Sequence, residues 1–147
     1  MWTDAPFRLK LDASQPKNTP HGMINEFALS AEQAQNFQYK GKSITGRGTQ
    51  MFRLVCVGKQ PNLDAVLREI EEKYHVGREH HHGQWLQPYV GKFRKNYPAW
   101  IGVPDPSWRG PNGQPCFPCV LPGGAKAFLV ADKEFGREFF WLIPVLE

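Results

Sequence analysis

The chain has 147 residues, and 18 Lys and Arg residues against 14 Asp and Glu residues give it a formal net charge of +4. Hydrophobic residues make up 41% and charged residues 22%, proportions that exclude an intrinsically disordered chain. The 14 glycines and 13 prolines predict many turns and exclude a helical bundle. The length predicts a single domain, 1–147, that buries a core without disulfides or metals.

No apolar run approaches the roughly 18 residues of a transmembrane helix, so no membrane partner is predicted. The first residues lack the basic and apolar regions of a secretory signal. Three cysteines are too few for a disulfide framework. We therefore expect a cytoplasmic protein.

The first third of the chain contains patterns of both strands and helices. Apolar and basic residues alternate over 7–11, which is the period of a half-buried strand. Helical spacing over 23–38 predicts one or two short helices, and Ser30 with Gln33 forms a capping-box pattern. The apolar run over 51–57 predicts a buried strand.

The clearest element is an amphipathic helix over 62–74. Asn62 is a good N-cap, and Gly77 is predicted to end the helix. Five apolar residues recur with a period of 3.6 and define its buried face: Leu63, Val66, Leu67, Ile70 and Tyr74. If 40–46 and 85–93 are strands, residues 6–95 have the order βαββαβ, which is ferredoxin-like.

The last third is predicted to be simpler. Short strands are expected at 100–103, 127–130 and 139–143, with an irregular Pro- and Gly-rich loop over 104–124. Residues 96–147 then form this loop and an appended β-hairpin. The predicted fold class is α+β: a ferredoxin-like sheet with one or two helices on one face, followed by a C-terminal β-hairpin region.

Basic residues are concentrated in two stretches. Residues 33–63 contain five basic and no acidic side chains, and 73–104 contain five basic side chains and one acid, Glu79. Basic side chains neutralise phosphates, and aromatic rings stack on unpaired bases. The predicted contacts are Lys40, Lys42, Arg47, Lys92, Arg94 and Lys95, with stacking by Tyr39, Trp85 or Tyr97. The alternative is ordinary solvated charge beside core aromatics.

A glycine-bracketed histidine run follows the best helix. Its residues are Gly77, Arg78, Glu79, His80, His81, His82 and Gly83. Glycine allows the backbone of a ligand to approach closely, arginine makes forked contacts to phosphate, and imidazoles donate to phosphate or stack. Two alternatives stay open: a solvent-exposed loop, and a metal-binding or catalytic histidine pair.

Cys116 and Cys119 form a CxxC pattern in the Pro-rich segment. CxxC is half of a zinc site, and no spacing in the chain supplies the two further ligands. The alternative is two free thiols. We predict no cofactor, with structural zinc as the alternative.

A strand ending at Gly58, the amphipathic helix, and then His75-Val76-Gly77-Arg78 followed by Gly83 resemble the RAMP superfamily over about residues 6–95. These are RRM-like crRNA-binding subunits of CRISPR effector complexes in antiviral defence, and the subunit that caps the 5′ handle is the most similar. The resemblance implies a ferredoxin-like fold, protein subunits as partners, and glycine-loop residues near the RNA backbone. The loop positions that carry over are Gly77, Arg78 and Gly83, with His80, His81 and His82 between them.

The predicted function is a non-catalytic RNA- or single-stranded nucleic-acid-binding subunit of a larger ribonucleoprotein. One alternative is a small phage or mobile-element module that binds another protein, such as an inhibitor of a nucleic-acid enzyme. A second alternative is a small zinc-dependent nuclease that uses the histidine run.

Overall fold

The computed structural model describes residues 5–92 and 99–146. Eight strands lie in this part of the chain: β1 (Phe7–Asp12), β2 (Gln38–Tyr39), β3 (Arg47–Val55), β4 (Trp100–Gly102), β5 (Trp108–Arg109), β6 (Pro115–Val120), β7 (Lys126–Val130) and β8 (Phe139–Pro144). Four α-helices accompany them: α1 (Pro20–Phe27), α2 (Ala31–Ala34), α3 (Leu63–Tyr74) and α4 (Leu86–Lys92). No helix among the described residues is both long and apolar enough to span a bilayer.

All eight strands belong to one mixed sheet with the order β1-β3-β8-β4-β6-β5-β2, and β7 pairs with β6. The pairs are antiparallel except for β4 and β8, which run parallel. β8 lies between β3 and β4, so the strands of 6–95 and of 96–147 are joined in a single sheet.

Helices cover both faces of this sheet. Because side chains alternate across a strand, neighbouring residues enter different cores. One core lies under α1, α2 and α4 and includes Leu9, Phe52 and Leu142. The other lies under α3 and includes Ile70 and Trp141. The expectation of helices on one face only is therefore wrong.

The mixed α+β class and several elements are confirmed. The predicted strands at 7–11 and 51–57 correspond to β1 and β3, and the helix predicted over 62–74 is α3. The Asn62 side chain caps α3 by accepting the Ala65 N–H at 2.9 Å. Ser30 caps α2 in the same way, through the Gln33 N–H. The end of α3 differs from the prediction because His75, at φ 60°, adopts the left-handed conformation expected of Gly77.

The ferredoxin-like strand order is not found in the part of the chain that the structure describes. Where the sequence predicts a strand at 85–93, a short 3-10 turn leads into α4. Pro88 explains the difference, because proline fits the first turn of a helix but lacks the N–H that a sheet ladder needs. No strand forms at 40–46, and the two-residue β2 pairs instead with β5.

The C-terminal segment also departs from the prediction. The loop expected over 104–124 contains β5 and the long buried strand β6. The expected hairpin of β7 and β8 is absent from the described sheet, because β7 pairs with β6 while β8 pairs with β3 and β4. β7 and β8 were correctly predicted as strands, but their pairing with each other was not found.

Candidate nucleic-acid interface

A cavity of about 500 Å³ lies between the histidine run and the segments at each end of the β2–β5 pair. Its volume is within the range of small-molecule and nucleotide sites. We call residues 77–83 the His loop and this space the His-loop cavity. Its polar wall consists of two cationic, two acidic and several neutral polar side chains: Lys42, Arg78, Glu79, Asp105, Tyr39, His81, His82 and Ser107. These side chains come from three segments that are far apart in the sequence.

Asp105 joins two of these segments. Its side chain is 2% exposed, and one carboxylate oxygen accepts both the Gly83 N–H at 2.8 Å and the Trp108 indole N–H at 3.1 Å. The other oxygen accepts the Ser107 N–H at 3.1 Å. A buried carboxylate needs such donors to offset its desolvation. Asp105 therefore fixes the end of the His loop against the start of β5.

Gln84 joins the third segment, which contains Lys42, to the end of the His loop. It is fully buried, and its Oε1 accepts the Ile44 N–H at 2.7 Å. Its Nε2 donates to the Asn18 carbonyl at 2.8 Å and to the Ile44 carbonyl at 3.2 Å. One glutamine side chain thus pairs with both backbone groups of Ile44, as a strand would. This interaction holds the Lys42 segment beside the His loop.

The β2–β5 pair forms the floor of the same region. Tyr39 packs on Trp108 with ring centroids 4.5 Å apart, and its hydroxyl donates to the Lys42 carbonyl at 3.2 Å. Burial, together with the negative charge of Asp105, raises the pKa of Tyr39 above its ordinary value, so the phenol stays protonated. The Lys40 N–H donates to the Ser107 carbonyl at 2.7 Å, which fixes Lys40 beside the cavity.

The two cations at the cavity differ in their partners. The Arg78 guanidinium pairs with Asp64 at the start of α3, and both side chains are exposed. Hydrogen bonding from Arg78 lowers the pKa of Asp64. Lys42 is exposed and makes no salt bridge with any described residue. The ammonium of Lys42 is therefore available to a phosphate.

His81 is the unusual group in the cavity wall. It is 4% exposed, and neither ring nitrogen has a hydrogen-bond partner among the residues that the structure describes. Burial lowers the pKa of His81 to about 4, and the neighbouring His80, His82 and Arg78 add to this shift. His81 is therefore neutral at physiological pH, and it contributes shape rather than positive charge to the site.

Five of the predicted contact residues line the cavity together: Tyr39, Lys42, Arg78, His81 and His82. Other predicted contacts lie elsewhere. His80 is exposed and approaches Glu79 at 3.4 Å. Arg47 pairs with Asp12 at 3.5 Å, and Lys92 donates to the Arg8 carbonyl at 2.9 Å. Three further predicted contacts, Arg94, Lys95 and Tyr97, fall outside the described residues.

The predicted roles of Trp85 and Gly83 do not fit their positions. Trp85 is 6% exposed and packs on Phe52 in the core, which leaves no ring face open to a base. Gly83 is buried, and a Cβ there would lie 2.6 Å from Trp108 Nε1 and 2.9 Å from Pro118 Cγ. Glycine is needed here for packing inside the protein. Gly77 begins the His loop with an ordinary negative φ.

The cysteines of the CxxC pattern do not face each other. Cys116 belongs to the core under α1, α2 and α4, and Cys119 to the core under α3. Both are free and buried, and burial raises the pKa of each thiol to about 12. Their side chains lie on opposite faces of β6. They therefore do not form the two adjacent ligands of a zinc half-site.

No group of three or more His, Cys, Asp or Glu side chains suited to holding a metal ion is found within residues 5–92 and 99–146. The chain matches no family model, no curated protein and no solved structure. The similarity to the RAMP superfamily therefore stays a prediction.

Sequence reasoning missed the two side chains that organise the cavity. Asp105 lies in Pro104-Asp105-Pro106, within the segment predicted as an irregular loop, and an acid between two prolines was its only signal. Gln84 had no signal at all, because glutamine is mostly an exposed residue. Both depend on contacts with distant segments, so local patterns do not reveal them.

We expect Gln84→Met to lower the free energy of unfolding by roughly 2–4 kcal/mol, because one buried and two partly buried hydrogen bonds are lost and the Ile44 and Asn18 backbone groups are left unpaired. Chemical denaturation measures this loss, and hydrogen exchange of the Ile44 amide should accelerate. Gln33→Met, at an exposed glutamine in α2, is the matched control. Equal stability of the two variants would contradict the role of Gln84.

Because His81 is buried, we expect the free energy of unfolding to depend on pH. Because its pKa is about 4 in the folded chain and 6.5 in the unfolded chain, the unfolded state binds the proton first. The free energy of unfolding therefore falls as the pH drops from 6.5 toward 4. Between pH 7 and pH 5 the His81 contribution to this loss is about 2 kcal/mol.

His81→Phe removes the titrating group and keeps a ring of similar shape. Urea denaturation of both proteins at pH 7 and pH 5 isolates the His81 contribution, since every other residue is the same in both. We expect the variant to lose less stability than the natural chain on acidification. The same loss in both proteins would show that His81 is not buried in the neutral form.

Proposed function

We propose that the protein is a non-catalytic subunit that binds RNA or single-stranded nucleic acid, and that the His-loop cavity contacts the phosphate backbone. The observation that carries this proposal is the convergence of three segments on one cavity. The cations predicted for phosphate binding at 42 and 78 are among its walls. Predicted contacts that are 36 residues apart in the sequence therefore share one site.

The charges favour a phosphate-bearing ligand. Lys42 has no carboxylate partner among the described residues, and the Arg78 guanidinium pairs with Asp64 at the edge of the cavity. Two acids also line the cavity. Asp105 is occupied by three donors from the chain itself, and Glu79 is exposed and lies 3.4 Å from His80. Lys42 is thus the cavity cation that has no carboxylate partner among the described residues, while Arg78 shares its guanidinium with Asp64.

Ring surface at the cavity suits a nucleotide better than a small inorganic anion. Tyr39 and His82 line the wall and are partly exposed, and His81 adds a neutral imidazole. Such surfaces accommodate a sugar or a base beside a bound phosphate, without strict sequence preference. Lys40, which is exposed and lies between Tyr39 and Lys42 in the sequence, adds a further positive charge to this segment.

Membership of a larger ribonucleoprotein is part of the proposal. The particular assembly suggested by the sequence resemblance is a CRISPR effector complex in which the subunit caps the crRNA. That assignment rests on the strand that ends at Gly58, the amphipathic helix, and the segment from His75 to Gly83. The cavity gives the proposal a defined site that is testable with the isolated chain.

We expect the affinity for a single-stranded RNA oligonucleotide to fall linearly on a log–log plot against salt between about 50 and 200 mM. Lys42→Gln removes one phosphate contact, so it should weaken binding and lower the magnitude of the slope by about 0.7. Fluorescence anisotropy with a labelled oligonucleotide measures both quantities.

Lys133→Gln is the matched control, because Lys133 is exposed on the connection between β7 and β8 and does not line the cavity. Its slope and affinity should stay close to those of the natural chain. Absence of binding at about 50 mM salt would overturn the proposed function. Equal effects of the two substitutions would overturn the assignment of the site.

A further inference from the structure

β1 is a terminal strand of the sheet, and β3 is its only strand partner in the described sheet. In an antiparallel pair, alternate residues turn their N–H and C=O away from the partner strand. The Arg8 carbonyl accepts from the Lys92 ammonium, and the Asp12 carbonyl accepts from the Asn18 amide, each at 2.9 Å. Lys10, between them, turns its backbone groups to the same side, where no described residue bonds them.

A groove follows this open edge. Two adjoining cavities of about 650 and 420 Å³ lie along it, and both are lined by Lys10 on one side and by Pro88 of α4 on the other. Gly91 continues the α4 wall, and a Cβ added there would meet no atom within 4 Å. We call this space the edge groove. It leaves room for an extended chain beside β1.

The edge groove carries excess positive charge. Arg8, Lys10 and Lys17 are exposed and form no salt bridge within the described part of the chain. The acids at the groove are already paired, since Asp12 binds Arg47 at 3.5 Å and Glu26 binds Lys126 at 2.6 Å. A ligand in the groove therefore meets basic side chains without compensating acids.

We propose that the edge groove binds an extended acidic segment of a partner protein by strand addition to β1. A partner backbone would supply the donor and acceptor that pair with Lys10, and alternate acidic side chains would meet Arg8 and Lys10. Lysines on an edge strand oppose pairing with neutral or basic strands, so they select for an acidic one.

The other occupants fit less well. The phosphates of a nucleic acid would neutralise the lysine side chains, but its backbone lacks the alternating N–H donors and C=O acceptors that pair with a strand. A second copy of this chain fits less well. Two antiparallel copies of β1 centred on Leu9 bring Arg8 opposite Lys10, and copies centred on Lys10 bring the two lysines together, with Arg8 opposite an Asp12 that already pairs with Arg47. The strand-like edge and its charge together favour an acidic peptide.

The probe is an acetylated heptapeptide of alternating Val and Glu with a fluorescent label, titrated with the full chain. We expect saturable binding, and Lys10→Glu should weaken it by about tenfold or more because attraction becomes repulsion. A peptide with Lys in place of Glu should not bind. Lys133→Glu controls for the change in net charge, and circular dichroism checks that both variants fold.

A peptide N-methylated on alternate amides separates backbone pairing from simple charge attraction. It keeps every carboxylate but loses the donors that pair with β1, so its affinity should fall by about tenfold. Equal binding of the methylated peptide would overturn strand addition. The proposal would also be overturned by no binding at about 1 mM peptide, or by sedimentation that shows dimers through β1. Lys42→Gln should leave peptide binding unchanged, so this test is independent of the nucleic-acid site.

Discussion

The hydrogen bonds of two buried side chains, Gln84 and Asp105, determine the geometry of the candidate site. A buried amide or carboxylate is tolerated only when its polar atoms are satisfied. Here the partners come from separate segments: Gln84 pairs with Ile44 and Asn18, and Asp105 pairs with the backbone at Gly83 and Ser107. None of these segments can shift without leaving a buried polar atom unpaired. The cavity walls are thus fixed by the interior of the protein, although the walls are mostly loop.

The helices on both faces explain why the segment around β6 is so apolar. β6 pairs with β7 on one side and with β4 and β5 on the other, and its side chains enter both cores. The residue sequence Cys116-Phe117-Pro118-Cys119-Val120 has the continuous apolar character of a strand buried on both faces. Its prolines and the nearby glycines favoured a loop prediction, because proline rarely occupies a central strand. Tertiary packing overrode that local preference.

The parts of the fold that were predictable depend on local patterns. The cap, periodicity and length of α3 are all readable within 62–74, and the alternation in β1 is readable within 7–11. Strand pairing depends on residues far apart, and the sequence contains no signal that places β8 between β3 and β4. For the same reason, the order of strands had to come from the structure.

The candidate site, like the fold, was predictable only in the part that depends on local sequence patterns. Charge clustering and the glycine-bracketed histidines identified Lys42, Arg78, His81 and His82, which line one cavity. The same reasoning assigned Trp85 to base stacking, although its ring is buried against Phe52. Composition identifies a basic, aromatic region, but it does not separate aromatic residues of the core from those of the surface. That distinction depends on which face of an element meets the sheet.

The central claim is that single-stranded nucleic acid binds at the His-loop cavity, and an NMR titration of the ¹⁵N-labelled protein with an RNA oligonucleotide tests it most directly. We predict that the largest chemical-shift changes occur at backbone amides of 39–44, 77–83 and 105–107, and at the Gln84 side-chain amide. These groups surround one cavity and respond together. Changes confined to the edge groove along β1 or to the surface of α3, or no changes at all, would contradict the account.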